Sequence, residues 1–96
     1  MNATPTDGVP VPSRVRVPHL REMKARGEKI VMLTAYDFPT ARIFDEAGVD
    51  TILVGDSMGN NMLGYDSTLP VTLDELVVAT RSVSRATKRA FVIADL

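Results

Sequence analysis

Ninety-six residues with 45% hydrophobic content suffice for one small domain, since a chain of this size can bury more than half of the surface its unfolded form exposes. The 11 basic residues are matched by 12 acidic ones, which excludes a strongly basic module held to nucleic acid by its phosphates. With no cysteine, a disulfide framework and a thiolate zinc site are excluded too, no H-E-x-x-H pattern occurs, and a metal would have to be held by oxygen.

Prolines at 5, 10, 12 and 18 break up the first stretch, so it holds no secretory apolar segment, and residues 1–17 read as an extended or disordered arm. The best apolar runs, residues 30–35 and 51–54, fall far short of the roughly 20 residues a bilayer crossing needs. The chain therefore reads as soluble and cytoplasmic, with neither a membrane nor a nucleic-acid partner. A single domain is expected to start at residue 18.

A short polar helix is predicted over residues 18–26, with Pro18 in its first turn and Gly27 at its stop. His19, the only histidine, stands at the start of this charged helix and is given a surface role rather than a catalytic one. Residues 30–35, Ile-Val-Met-Leu-Thr-Ala, are too short for a typical helix and predict a buried strand. Tyr36 and Asp37 mark its exit; Tyr36 stands where it could reach the rim but is read as a strand-end aromatic serving the core. Pro39 then opens a helix whose Thr40, Ile43, Phe44 and Ala47 share one face before Gly48 ends it.

Residues 51–54 predict a second strand, which leaves through Gly55-Asp56-Ser57 into a long loop. Thr72 and Glu75 have the T-x-x-E spacing of a capping box, in which each side chain satisfies a backbone N–H at the other position. The helix they start has Leu73, Leu76, Val77, Thr80 and Val83 as its expected inward face, with Arg81, Arg85 and Lys88 mainly outside it. Residues 90–94 predict a third strand, running to Asp95.

Three buried strands separated by helices describe parallel β/α units, and both an open sheet and a closed barrel accommodate them. A parallel sheet needs cover on both faces and neighbours at both edges. The sequence stops directly after its third strand, so a fragment of a larger domain is expected.

In parallel neighbouring strands Asp56 and Asp95 emerge at the same end of the sheet, about 5 Å apart laterally, where β/α folds collect their ligands. Two carboxylates without sulfur suit a hard cation such as Mg²⁺, which keeps water or substrate oxygens in its remaining positions. The competing reading gives each aspartate to a helix cap or a turn. Ser57 adds a hydroxyl, either for turn chemistry or for a hydrogen bond to an anionic substrate. The loop over residues 58–71 is long for such a connection, which favours function. Its glycines form neither a dinucleotide fingerprint nor a P-loop, and Met58, Met62 and Leu63 are expected to pack.

The strings Leu33-Thr34-Ala35-Tyr36-Asp37, Leu53-Val54-Gly55-Asp56-Ser57-Met58-Gly59, Gly64-Tyr65-Asp66-Ser67-Thr68-Leu69-Pro70-Val71-Thr72 and Ala94-Asp95-Leu96 together resemble the N-terminal part of the ketopantoate hydroxymethyltransferase family, over about residues 18–96. The resemblance implies the first three β/α units of a (β/α)8 TIM barrel of the phosphoenolpyruvate/pyruvate superfamily. It implies Mg²⁺ held by Asp56 and Asp95, and 3-methyl-2-oxobutanoate bound against Asp56, Ser57 and Asp95. The implied reaction takes a one-carbon unit from the co-substrate 5,10-methylenetetrahydrofolate and gives 2-dehydropantoate, an early step of pantothenate synthesis.

In that family the general base is a glutamate beyond residue 96, where a further acidic metal-site residue and a substrate-binding lysine also lie, so the resemblance implies no catalytic base here and an inactive isolated chain. It also implies a homo-oligomer for the full-length protein. Two other readings stay open: a sibling metal-dependent lyase or mutase of the same superfamily, and a non-catalytic binding or assembly fragment.

Overall fold

A computed structural model describes residues 13–95; residues 1–12 of the expected arm, and Leu96, lie outside the described residues. In chain order the elements are α1 (Val17–Ala25), β1 (Met32–Thr34), α2 (Phe38–Ala47), β2 (Thr51–Val54), α3 (Met58–Asn61), α4 (Leu73–Ala86) and β3 (Phe91–Ala94). The strands form one parallel sheet in the order β1-β2-β3. Thr34 lies opposite Leu53, and Val54 opposite Ala94. The α/β class and the parallel arrangement expected from the sequence are therefore present, with the strand C-termini on one rim.

Local chemistry accounts for the element ends. Asp37 precedes α2 in extended geometry and accepts from Thr40 N at 2.8 Å, so Pro39 falls one position later than the first helical residue, still where no N–H is needed. Gly48 ends α2 at φ +92°, donating to the carbonyls of Asp45 and Phe44; a side chain there would be strained. The capping box at α4 forms as its spacing predicts: Glu75 N donates to Thr72 Oγ1 at 3.1 Å, and Thr72 N to Glu75 Oε1 at 2.8 Å.

The core lies between the sheet and one layer of helices, where α2 packs on α4 and α4 on β2 and β3. Ile52 and Val54, two residues apart and so on one face of β2, are both fully buried. Each contributes about 1.5–3 kcal/mol by leaving water. Ala41, Val83 and Ala90 are buried to the same degree.

Two expectations about burial are corrected. Only β2 is a largely buried strand: all three residues of β1 are exposed, and β3 is half-buried before its exposed Ala94. The physical reason is that helices cover one face of the sheet among the described residues. The inward helix faces are met only in part: Leu76 and Val83 of the expected α4 face are buried, and Phe44 of the α2 face packs against the core. Of the face expected on α2, Ile43 is 64% exposed, while Ala41 and Asp45 are buried; on α4, Leu73 and Val77 are exposed, while Leu76, Ala79, Val83 and Ala86 are buried. Close approach of α2 to α4 selects small side chains at the contact, and large ones flank it.

The N-terminal end of the sheet is tied by polar bonds. Val15, nearly fully buried, donates its N–H to Arg89 O at 2.7 Å. Asp45 accepts the backbone N–H groups of Lys88, Arg89 and Ala90 at 2.8, 3.1 and 2.7 Å, and Asp50 accepts from Val31 N at 2.9 Å and pairs with Arg89 at 3.7 Å. These bonds staple this end of the sheet.

The loop between β2 and α4 folds back on itself. A Cβ at Gly59 would collide with Val71 Cγ2 and stand 3.2 Å from Tyr65 Cδ2. Gly59→Ala is therefore expected to destabilise the fold by about 1–3 kcal/mol through overpacking, read as a lower urea midpoint at unchanged slope. A wild-type midpoint would show that the loop does not press on this glycine.

Candidate functional site

The rim at the strand C-termini gathers the three residues that the sequence singles out. Asp95 follows β3 and continues its ladder, donating N–H to Val54 O at 2.7 Å. Its Cβ lies 3.7 Å from where a Cβ of Gly55 would stand, so Asp95 is level with the residue before Asp56. Asp56 and Ser57 form the turn between β2 and α3. The structure thus brings Asp56, Ser57 and Asp95 to one rim, as parallel pairing requires.

What the aspartates do not do is informative. Asp37 caps α2, Asp45 holds three amides and Asp50 holds an amide and a guanidinium. Asp56 and Asp95 are exposed, and among the described residues neither carboxylate takes a hydrogen bond or an ion pair. Asp56 does not cap α3, whose N-cap is Ser57 without a side-chain bond. Neither side chain therefore makes a cap or turn bond, although the Asp56 carbonyl accepts the N–H of Gly59 at 2.9 Å within the turn itself.

Ser57 is half-buried, and its Oγ lies 2.6 Å from the phenolic oxygen of Tyr36. Asn61 Nδ2 donates to that same phenolic oxygen at 3.2 Å. The sequence reading kept Tyr36 for the core and passed over Asn61; the side chain of Tyr36 does pack against the core, while its hydroxyl serves the rim. His19 has the surface role expected of it, its Nδ1 accepting the N–H of Arg16 at 3.0 Å before the first turn of α1.

Among the described residues no three His, Cys, Asp or Glu side chains come together. The donor set at the rim is two carboxylates, which fits a hard cation that completes its shell with water and a chelating substrate and would not suit a metal needing a full protein cage. Behind the rim, Tyr36, Met58, Met62, Leu63 and Val78 line a mainly apolar cleft of about 260 Å³. Met58 packs in the core as expected, while Met62 and Leu63 are exposed along the cleft. None of Asp56, Ser57 and Asp95 lines it.

Glu75 has a second partner, the Tyr65 hydroxyl, which donates to its Oε2 at 2.8 Å. The N–H of Thr72 first, and then Tyr65, hold the Glu75 carboxyl below its ordinary range; accepting from Tyr65 in turn raises the phenol above its own. A depressed folded-state carboxyl stabilises the fold above the unfolded pKa and ceases to do so as pH falls through the folded one. The thermal-midpoint gap between wild type and Glu75→Gln is expected at neutral pH and to shrink as pH falls through and below the ordinary carboxylate range. A gap constant across that range would contradict this link.

Comparison with known proteins now adds to the geometry. A family model described as ketopantoate hydroxymethyltransferase matches residues 14–96. Three relatives share the name 3-methyl-2-oxobutanoate hydroxymethyltransferase. The protein from Leifsonia xyli subsp. xyli is 59% identical over 87 residues, covering 91% of this chain and 31% of the relative. That from Saccharopolyspora erythraea is 54% identical over 92 residues, covering 96% and 31%. That from Moorella thermoacetica is 56% identical over 84 residues, covering 88% and 31%. The chain thus spans less than a third of the length of these relatives.

Proposed function

This chain belongs to the ketopantoate hydroxymethyltransferase family, and on that premise we propose that it supplies the first three β/α units of a barrel enzyme that hydroxymethylates 3-methyl-2-oxobutanoate. The one-carbon donor is 5,10-methylenetetrahydrofolate and the product 2-dehydropantoate, so the enzyme serves pantothenate synthesis, in the cytoplasm and as a homo-oligomer. The observation that carries this reading is the pair of unengaged carboxylates, Asp56 and Asp95, on adjacent parallel strand ends beside the Ser57 hydroxyl.

Asp56 and Asp95 would hold Mg²⁺ and border the bound oxoacid. When bound there, the ion supplies Lewis acidity that draws electrons from the keto carbonyl and makes the C3 proton easier to remove. The two aspartates hold that charge in place and orient the oxoacid's face toward the one-carbon donor. Ser57 donates a hydrogen bond to an oxygen of the oxoacid, fixing which way it lies. In the reaction C3–H breaks, a bond from C3 to the one-carbon unit forms, and one water supplies the new hydroxyl as tetrahydrofolate leaves.

The base that takes the C3 proton lies outside residues 1–96. Glu46 and Glu75 sit on helices, where Glu46 pairs with Arg42 and Glu75 closes a capping box. The 96-residue chain is accordingly inactive by itself. The test joins residues 1–96 to the remaining barrel of the Leifsonia xyli relative and follows 2-dehydropantoate formation. Turnover by the joined enzyme and none by the verified isolated chain is expected, and turnover by the isolated chain overturns the assignment of the base.

A further inference from the structure

Asn61, Tyr36 and Ser57 form a hydrogen-bonded line whose direction has a consequence for substrate. Tyr36 follows β1, and Ser57 and Asn61 stand four residues apart on the turn and helix after β2, where Asn61 N donates to Ser57 O at 3.0 Å. That spacing puts both side chains on one face of α3, and the phenolic oxygen of Tyr36 is bracketed between them, 3.2 Å from Asn61 Nδ2 and 2.6 Å from Ser57 Oγ.

The amide nitrogen of Asn61 carries only hydrogens to give, so it occupies a lone pair of the phenolic oxygen. The single phenolic proton can then be given to its other neighbour, Ser57 Oγ, in a pair whose geometry allows either atom as donor. Donor strength favours this direction, because a phenol is a better hydrogen-bond donor than an aliphatic hydroxyl. With Ser57 Oγ as the acceptor in that bond, its own hydrogen is uncommitted.

We propose that Asn61 and Tyr36 are positioning residues that hold Ser57 as a hydrogen-bond donor toward a carboxylate or keto oxygen of the bound 2-oxoacid. The inference rests on the reading of Ser57 as a substrate-binding residue. It explains why direction matters: an anionic oxoacid offers only lone pairs. A serine that spent its proton on Tyr36 would turn lone pairs of its own toward that anion and repel it. Polarising one hydroxyl by another also strengthens the bond the outer one makes.

The experiment measures KM and kcat for 3-methyl-2-oxobutanoate in the barrel-length enzyme carrying this segment, with thermal midpoints for each variant. Tyr36→Phe is expected to raise KM about tenfold while changing kcat less than about threefold, the split of a group that acts in binding. Asn61→Asp, nearly the same in shape, gives Tyr36 a carboxylate to donate to; it is expected to raise KM by a similar factor with an unaltered midpoint. Ser57→Ala is expected to raise KM, and adding Tyr36→Phe to it to raise KM no further.

An Asn61→Asp enzyme with wild-type KM overturns the proposal. So does a Tyr36→Phe effect that multiplies undiminished in the Ser57→Ala background, since a packing role would persist there. An unchanged KM in Ser57→Ala alone defeats the substrate-binding role of Ser57 itself, which separates that failure from a failure of the relay.

Discussion

Replacing Asp56 or Asp95 by asparagine in the barrel-length enzyme is expected to lower kcat/KM for 3-methyl-2-oxobutanoate by about 10³-fold or more. Residues that only support a metal ligand cost roughly 10–100-fold when mutated, and these two are proposed as ligands themselves. Each substitution removes a charge and one protein donor, so affinity for Mg²⁺ and stabilisation of charge developing on the substrate fall together. Asp66→Asn, a change at an exposed loop acid without a side-chain bond among the described residues, serves as control and should remain within about twofold. Loss of less than tenfold at both Asp56 and Asp95 would remove the metal-site reading. Since the variants keep side-chain shape, a normal thermal midpoint distinguishes lost chemistry from lost fold.

The second large effect belongs to stability. Asp45→Ala is expected to destabilise by about 3–5 kcal/mol, because three amides lose their acceptor at a buried position and each unsatisfied group costs about 1–3 kcal/mol. Asp45 is 8% exposed. Such a loss is comparable with the whole stability of a small domain, about 5–15 kcal/mol. Asp45→Asn gives an internal comparison. Its remaining oxygen can keep the bonds from Arg89 and Ala90, both made to Oδ1, while the bond from Lys88 to Oδ2 is lost. It should cost about a third as much. Chemical denaturation of the three proteins checks the order; equal stability of Asp45→Ala and wild type would show that the link from α2 to β3 carries no net energy.

These two predictions divide the acidic residues in a way that was only partly legible in the sequence. The strand-helix alternation located Asp56 and Asp95 at equivalent strand ends, and parallel pairing then brought them to one rim. The T-x-x-E spacing located the start of α4 because capping is a local interaction. Asp45 was invisible as an anchor, since its partners lie more than 40 residues away along the chain. On helical periodicity it was simply an acid near the end of α2.

The helix faces were legible only in part, for a related reason. Large apolar residues mark a buried face when packing distance is generous, but Ala41, Ala79 and Ala86 are buried where α2, α4 and the sheet come close. Alanine has little hydrophobic signal of its own, so the pattern pointed to Ile43 and Leu73 instead. The four-residue α3 is shorter than any window in which periodicity has meaning. Without α3, nothing joined Asn61 to Tyr36, and a tyrosine at a strand end looked like core.

The central claim is that Asp56 and Asp95 together hold one divalent cation against the oxoacid. Calorimetric titration of Mg²⁺ into the barrel-length enzyme, with and without 3-methyl-2-oxobutanoate, tests it most directly. One cation per protomer, bound more tightly when the oxoacid is present and lost in the Asp56→Asn, Asp95→Asn double variant, is the predicted result; a folded double variant that binds cation and oxoacid as the parent does would contradict it.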